Sequence, residues 1–201
     1  MKKMINGTIR ILSKNNPEIE MHRATYAYGL DVFFSSFFNL LGILFVHALF
    51  GNLGAIAVVI VFFALLRTFA GGYHAQSRWR CFLFFLLLSM GAMRLFEYVM
   101  SAVPIFDFII GVVPCFGLIA IFAPLDTGAK PLNSEKKAKY KKESLLVAVI
   151  LSGVVLTWYY LSLFELSVLG ALGIYMAVLT MLIRLIQKEL RGDLFYESKV
   201  I

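Results

Sequence analysis

Apolar residues in this chain run in long blocks separated by short polar punctuation. Six stretches nearly free of charge stand out, at residues 30–50, 53–66, 82–100, 105–123, 145–163 and 166–186. A helix needs about 20 apolar residues to cross a bilayer, so each stretch is a candidate span. The second is short, and either borrows length from residues 67–70 or is re-entrant. The pattern predicts an all-α integral membrane protein with six transmembrane helices, arranged as three hairpins with short outer connections. Before the first span, Met4, Ile5, Thr8, Ile9, Ile11 and Leu12 have roughly helical spacing, which suits a helix lying flat on the membrane. Asn16-Pro17, followed by Glu18 and Glu20, resembles a helix start with Asn as cap and Pro at the first position. Ala123-Pro-Leu-Asp-Thr-Gly-Ala-Lys-Pro131 breaks the helical pattern before a lysine-rich segment. The organisation expected is a single membrane domain over 1–201, with a lead at 1–29, a transmembrane core at 30–186 and a tail at 187–201. The lead lacks the continuous apolar core of a cleavable signal peptide.

Composition agrees with the pattern. Hydrophobic residues make up 60% of the chain, where a soluble domain is about half apolar. Charge then orients the spans. Lys2, Lys3, Arg10, Lys14 and Arg23 precede the first span; Arg67, Arg78 and Arg80 lie between the second and third. Lys130, Lys136, Lys137, Lys139, Lys141 and Lys142 lie between the fourth and fifth, and Arg184, Lys188, Arg191 and Lys199 close the chain. Six spans with both termini in the cytoplasm put 18 of the 19 basic residues on one side, as the positive-inside rule requires. An odd number of spans breaks that agreement. The net charge of +7 thus follows from topology and calls for no nucleic acid, though a basic face attracts anionic lipid or an acidic partner. The two cysteines offer no disulfide framework. Cys81 is placed in the cytoplasm and Cys115 within the membrane, so both are expected as reduced thiols.

The segment Arg67-Thr-Phe-Ala-Gly-Gly-Tyr-His74-Ala-Gln-Ser-Arg-Trp-Arg-Cys81 carries the candidate chemistry. Cysteine attacks as the thiolate, and a free thiol with a pKa of about 8.5 is only slightly ionised at neutral pH. His74 can take the proton, and Arg78 and Arg80 add positive potential that favours the anion. Residues seven apart on a straight helix are separated by about 10.5 Å along its axis. A direct hydrogen bond needs about 3 Å. The chain must therefore turn between or just before His74 and Cys81, and Gly71-Gly72 permits it. His74 is expected in a loop or at a helix start, with Cys81 about two turns into the next helix. Continuous helix from Arg67 to Phe84 would contradict this.

Other polar positions read more plainly. Cys115, in Val-Pro-Cys-Phe-Gly, is a small buried hydrophobe. His22 is a surface residue, and His47 a polar side chain near the outer end of the first span. Three scattered histidines and one intramembrane cysteine supply no zinc cluster, so neither metal nor cofactor is expected. Arg94 and Glu97 lie three apart in the third span, where they pair with each other or face a polar cavity. Asp126 is a candidate to orient His74, and Gln76 and Ser77 are candidate donors to an oxyanion.

Arg67, Gly71-Gly72-x-His74-x6-Cys81, and the later Ala123-Pro-Leu-Asp-Thr-x-x-Lys-Pro131 together resemble the AgrB family, membrane cysteine endopeptidases of Gram-positive quorum sensing. The resemblance covers nearly the whole chain in length, number of spans and motif order. It implies His74 and Cys81 as catalytic residues, with Arg67 and Gly72 also required. It further implies an AgrD-like propeptide as substrate. Its acidic C-terminal part would be removed through an acyl-thioester on Cys81, and a cysteine or serine of the peptide would then close a thiolactone or lactone ring. Thioester exchange keeps the activated bond that water would destroy. Lys130, Lys136, Lys137 and the lysines after them, with Arg78 and Arg80, would attract an acidic segment, although positive-inside anchoring explains them equally well. The lipid bilayer and a homodimer complete the partners expected. The alternative is a small membrane transporter or exporter of peptides, which would not need the His/Cys pair; a non-catalytic membrane adaptor is a third reading.

Overall fold

The computed structural model describes residues 2–13, 22–73, 77–125 and 134–190. Among them the chain is entirely helical outside its turns: α1 (Lys2–Ser13), α2 (Arg23–Leu49), α3 (Leu53–Ala70), α4 (Arg78–Ala102), α5 (Ile105–Ile110), α6 (Val112–Phe122), α7 (Ser134–Tyr160) and α8 (Phe164–Leu190). Six stretches are long and apolar enough to cross a membrane, and they coincide with the six apolar blocks of the sequence. The fourth combines α5 and α6. The second runs as one unbroken helix to Ala70, taking the extra residues that its apolar block lacks. Several helices outrun their apolar blocks, α2 beginning at Arg23 and α7 at Ser134, because a helix continues until its hydrogen-bonding pattern is broken, whatever the solvent outside.

The chain separates into two compact units, residues 1–50 and 51–201. In the first, α1 turns its apolar stripe onto α2: Ile5 and Ile9 are buried against Ala27, Leu30 and Phe34. Arg23 donates to the Asn6 side chain at 3.4 Å across the same pair. The expectation of a lead lying flat on the membrane is thereby refined, since part of its apolar face meets protein while Ile11 and Leu12 remain exposed. The helix start expected at Asn16-Pro17 lies outside the described residues.

In the second unit α8 is the central post, touching α3, α4, α5, α6 and α7. Most of its membrane-crossing length is buried. Small residues make this possible. A Cβ at Gly173 would come within 2.5 Å of the Phe62 Cβ and 2.7 Å of the Val59 carbonyl oxygen, so α3 and α8 meet backbone to backbone there. Around this crossing Phe62, Leu66 and Ala70 of α3 join Cys115 and Ile119 of α6, Leu151 and Val155 of α7, and Ile174, Val178 and Met181 of α8 in one apolar core. The buried Ser167 hydroxyl donates to the Val155 carbonyl at 2.8 Å, closing the α7–α8 contact where water cannot.

The fourth span bends at Gly111. Pro114 has no N–H to give the Ile110 carbonyl, which weakens the ladder there. The Tyr175 hydroxyl reaches in and donates to the Phe108 carbonyl. A Cβ at Gly111 would lie 2.6 Å from that hydroxyl. Arg94 and Glu97 pair at 2.9 Å, as their spacing predicts. Both side chains are exposed on the surface of α4. Cancelling each other within one helical turn lowers the cost of that placement.

The α3–α8 crossing has no room for a larger side chain. Gly173→Val is expected to destabilise the protein by about 1–3 kcal/mol, the usual cost of overpacking. Thermal unfolding in detergent should show a lowered midpoint. An unchanged midpoint would mean that the two helices do not meet at Gly173.

Candidate functional site

The candidate site begins where α3 stops. The Gly71 N–H closes the last turn on the Arg67 carbonyl at 3.0 Å. Gly71 then takes φ 78° and ψ −167°, a region open essentially to glycine alone. The break expected between Arg67 and Phe84 is therefore present, and the residue that makes it is one that the sequence singled out.

Two other parts of the chain hold this turn. The Leu125 N–H donates to the Ala70 carbonyl at 3.1 Å, and the Tyr73 N–H donates to the Thr180 carbonyl of α8 at 3.0 Å. A Cβ at Gly71 would stand 2.7 Å from the Leu125 carbonyl oxygen; one at Gly72 would stand 3.0 Å from the Thr180 Oγ1. The glycine pair thus lies against the start of the second motif on one side and against α8 on the other. This contact joins the two motifs that the sequence shows separately. Sequence reasoning missed Leu125 and Thr180 as its walls. The signal for Thr180 was a hydroxyl in the midst of the apolar run Val-Leu-Thr-Met-Leu.

Past the turn the chain enters α4. Ser77 caps the helix, its hydroxyl oxygen accepting from the Arg80 N–H at 3.3 Å. Cys81 follows four residues later, its own N–H bonded to the Ser77 carbonyl at 3.0 Å. Cys81 therefore lies one turn into α4, where about two had been expected. The helix starts as late as Arg78 because Ser77 is the first good cap after the glycines. The first turn of a helix favours negative charge. Cys81 is half-buried, whereas Ser77, Trp79 and Arg80 are exposed. The Tyr73 ring packs on Phe84 with centroids 4.8 Å apart, so the residue before His74 rests on the turn just beyond Cys81.

Arg67 faces the same place from α3. Its guanidinium carbon lies 4.6 Å from the ring centre of Phe85 and 5.4 Å from that of Phe63. Such contacts are worth about 0.5–2 kcal/mol for a desolvated cation. Its Nη2 donates to the Tyr73 carbonyl. Its Nη1 is buried with no hydrogen-bond partner among the described residues. Leaving a buried donor unpaired costs about 1–3 kcal/mol, more for a charged group, so such an atom calls for an explanation. Phe85 follows Cys81 by one helical turn in α4, so the guanidinium rests against the helix face that carries the thiol.

Of the other expected site residues, His74, Gln76, Asp126 and Lys130 lie outside the described residues, as does the side chain of Arg78. Lys136 and Lys137 are exposed near the start of α7. Among the described residues no three His, Cys, Asp or Glu side chains gather to hold a metal. His22 is exposed, whereas His47 is buried near the end of α2.

The two glycines should differ in what relieves their substitution. Gly71→Ala meets main chain and Gly72→Ala meets a side chain, and both are strained by positive φ, at about 1–3 kcal/mol each. Adding Thr180→Ala is expected to recover part of the melting midpoint lost by Gly72→Ala and none of that lost by Gly71→Ala. Equal recovery in both would contradict this packing.

Residues 5–182 match the profile of the family described as Accessory gene regulator B. Among characterised proteins, Protein FsrB of Enterococcus faecalis (strain ATCC 47077 / OG1RF) is 29% identical over 128 residues, which is 62% of this chain and 51% of that protein. The chain thus matches about half the length of that relative. No solved structure matches. The match takes in α3, the glycine turn, α4 and the second motif together, and the chain belongs to the accessory gene regulator B family.

Proposed function

We propose that this chain is a cysteine endopeptidase of the bacterial cell membrane that processes a quorum-sensing propeptide of the AgrD kind. The observation that carries this reading is the position of Cys81. It lies at the start of α4, one turn before the Phe85 ring on which the Arg67 guanidinium rests, and Tyr73, the neighbour of His74 in sequence, packs on the same helix.

In this mechanism His74 takes the Cys81 proton and the Sγ adds to a propeptide carbonyl. The adduct collapses, the C–N bond breaks, and the proton passes to the departing amine of the acidic C-terminal segment. The peptide remains on Cys81 as an acyl-thioester. A cysteine or serine within the peptide then attacks that carbonyl, releases the Cys81 thiol and closes a thiolactone or lactone. Exclusion of water protects the thioester, and the Tyr73 and Phe84 rings, packed together one turn beyond Cys81, contribute apolar cover on that side. Asp126 orients His74, and Gln76 and Ser77 assist as polar donors. The exposed lysines of α7, with Lys130, Arg78 and Arg80, attract the acidic segment before it leaves.

The test is cleavage in proteoliposomes of an AgrD-like propeptide with an acidic C-terminal segment. Cys81→Ala and His74→Ala are each expected to lower the rate by on the order of 10³-fold or more, while both proteins still insert. Normal cleavage by Cys81→Ala would reject the peptidase reading.

The same reading places both termini and the glycine turn on the cytoplasmic side. Single cysteines in place of Ser77 and Lys137, in an otherwise Cys-free chain, should be shielded from a membrane-impermeant maleimide in intact cells. A cysteine in place of Leu161, in the connection between α7 and α8, should label. The reverse pattern would overturn the six-span orientation.

A further inference from the structure

Among the described residues, Arg67 is the buried polar group whose arrangement the proposed chemistry leaves incomplete. Its guanidinium is fixed on three sides. Phe63 and Phe85 lie against its face, and Nη2 is committed to the Tyr73 carbonyl. Nη1 is equally buried and has no acceptor among the described residues. Phe85, on which the guanidinium rests, lies one helical turn past Cys81 on the same face of α4. A fixed, desolvated donor with no acceptor among the described residues, packed against the α4 face that carries the nucleophile, matches a site prepared for an atom that arrives with the substrate.

Resting on the peptidase reading, we propose that Nη1 of Arg67 is the donor that holds the carbonyl oxygen of the propeptide while its carbon is bonded to the Cys81 Sγ. When the thiolate adds, the C=O electron pair moves onto oxygen and a full negative charge appears there. Carbon and oxygen stay joined throughout, so a donor that faces the sulfur's reaction partner reaches this oxygen without moving. Collapse of the adduct returns the pair to the C=O bond, expels the amine and leaves the thioester. Attack by the peptide's own thiol or hydroxyl raises the same charge on the same oxygen, so one donor serves both cleavage and ring closure. Arg67 is thereby a catalytic residue, distinct from the exposed Arg80 on α4.

The glycine turn supports the assignment. The Tyr73 carbonyl that holds Nη2 is presented by a backbone pinned through the Tyr73 N–H to Thr180. One guanidinium nitrogen is thus used to fix the position of the other. Lysine has a single ammonium nitrogen and no planar fork, so it can keep the charge but not this division of labour.

The test separates a donor to the oxyanion from a cation that merely favours the thiolate. Arg67→Gln and Arg67→Lys are assayed in proteoliposomes for single-turnover cleavage of the same propeptide, and for alkylation of Cys81 by iodoacetamide across pH. Loss of an oxyanion donor is expected to slow cleavage by about 10²–10³-fold in Arg67→Gln at every pH tested. Alkylation at high pH should stay within about threefold of the unsubstituted protein, which also shows that the site is still folded and open. Arg67→Lys should be slowed as well, despite keeping the charge. Cleavage by Arg67→Gln that recovers fully as the pH is raised would overturn the proposal, because it would then act only on thiol ionisation. Unimpaired cleavage by Arg67→Lys would overturn it too, reducing the need to charge alone. Both failures leave the requirement for Cys81 untouched, whereas normal cleavage by Cys81→Ala would remove the peptidase reading itself.

Discussion

The slot that receives residues 70–73 governs much of what surrounds it. On one side is the main chain at Leu125, and on the other is α8 at Thr180. Hydrogen bonds of 3.1 and 3.0 Å tie the inserted segment to both. Only a segment without side chains at its two central positions fits, and only glycine accepts the backbone angles at Gly71. The slot fixes where α3 ends and brings Tyr73 to Arg67. It also determines that the chain re-enters a helix close beside the one it has left. The close crossing at Gly173 is the second half of the same constraint, because α8 must stand against α3 for Thr180 to be within reach.

A bilayer makes this arrangement more demanding than it would be in a soluble protein. Backbone groups away from water have to find partners inside the protein. The non-helical piece between α3 and α4 meets that demand through Ala70, Tyr73, Leu125 and Thr180. Charged groups obey the same rule in two ways. Arg94 and Glu97 satisfy each other at 2.9 Å and face outward. Arg67 has rings on its face, one carbonyl on Nη2 and, among the described residues, no acceptor on Nη1. The outward pair is electrically complete, while Arg67 is not. Incompleteness of that kind is costly in a low dielectric, which is why it marks Arg67 rather than Arg94 as the arginine with work to do.

Much of the fold is legible in the sequence because transmembrane helices declare themselves by length and hydropathy alone. The six apolar blocks and the helix break at Gly71 follow from local properties, one of composition and one of backbone freedom. The pairing of Arg94 with Glu97 was legible from spacing, but its outward orientation was not, since spacing within one helix says nothing of neighbours. The depth of Cys81 in α4 was misjudged by about a turn, because Ser77 as cap competes with Ala75 and Gln76 as helix formers and no periodicity decides between them. Least legible were the walls of the slot. Leu125 and Thr180 are 55 residues apart in the chain, and only packing brings them to the same two glycines.

Burial divides the basic residues near Cys81 into two groups with different physics. Arg80 and the lysines of α7 are exposed, so salt screens them over about 8–10 Å and their effect is spread over a whole surface. In the proposed function they draw in an acidic chain collectively, a task that depends on no single one of them. Arg67 is screened by rings and helices, where charge interactions are several times stronger than at the surface. Its field is therefore local, and no other basic residue is described in its position. If the proposed chemistry holds, drawing in an acidic peptide and stabilising a transient negative charge at one atom fall to separate cations. The first works best when numerous and wet, and the second when single, dry and held by its neighbours.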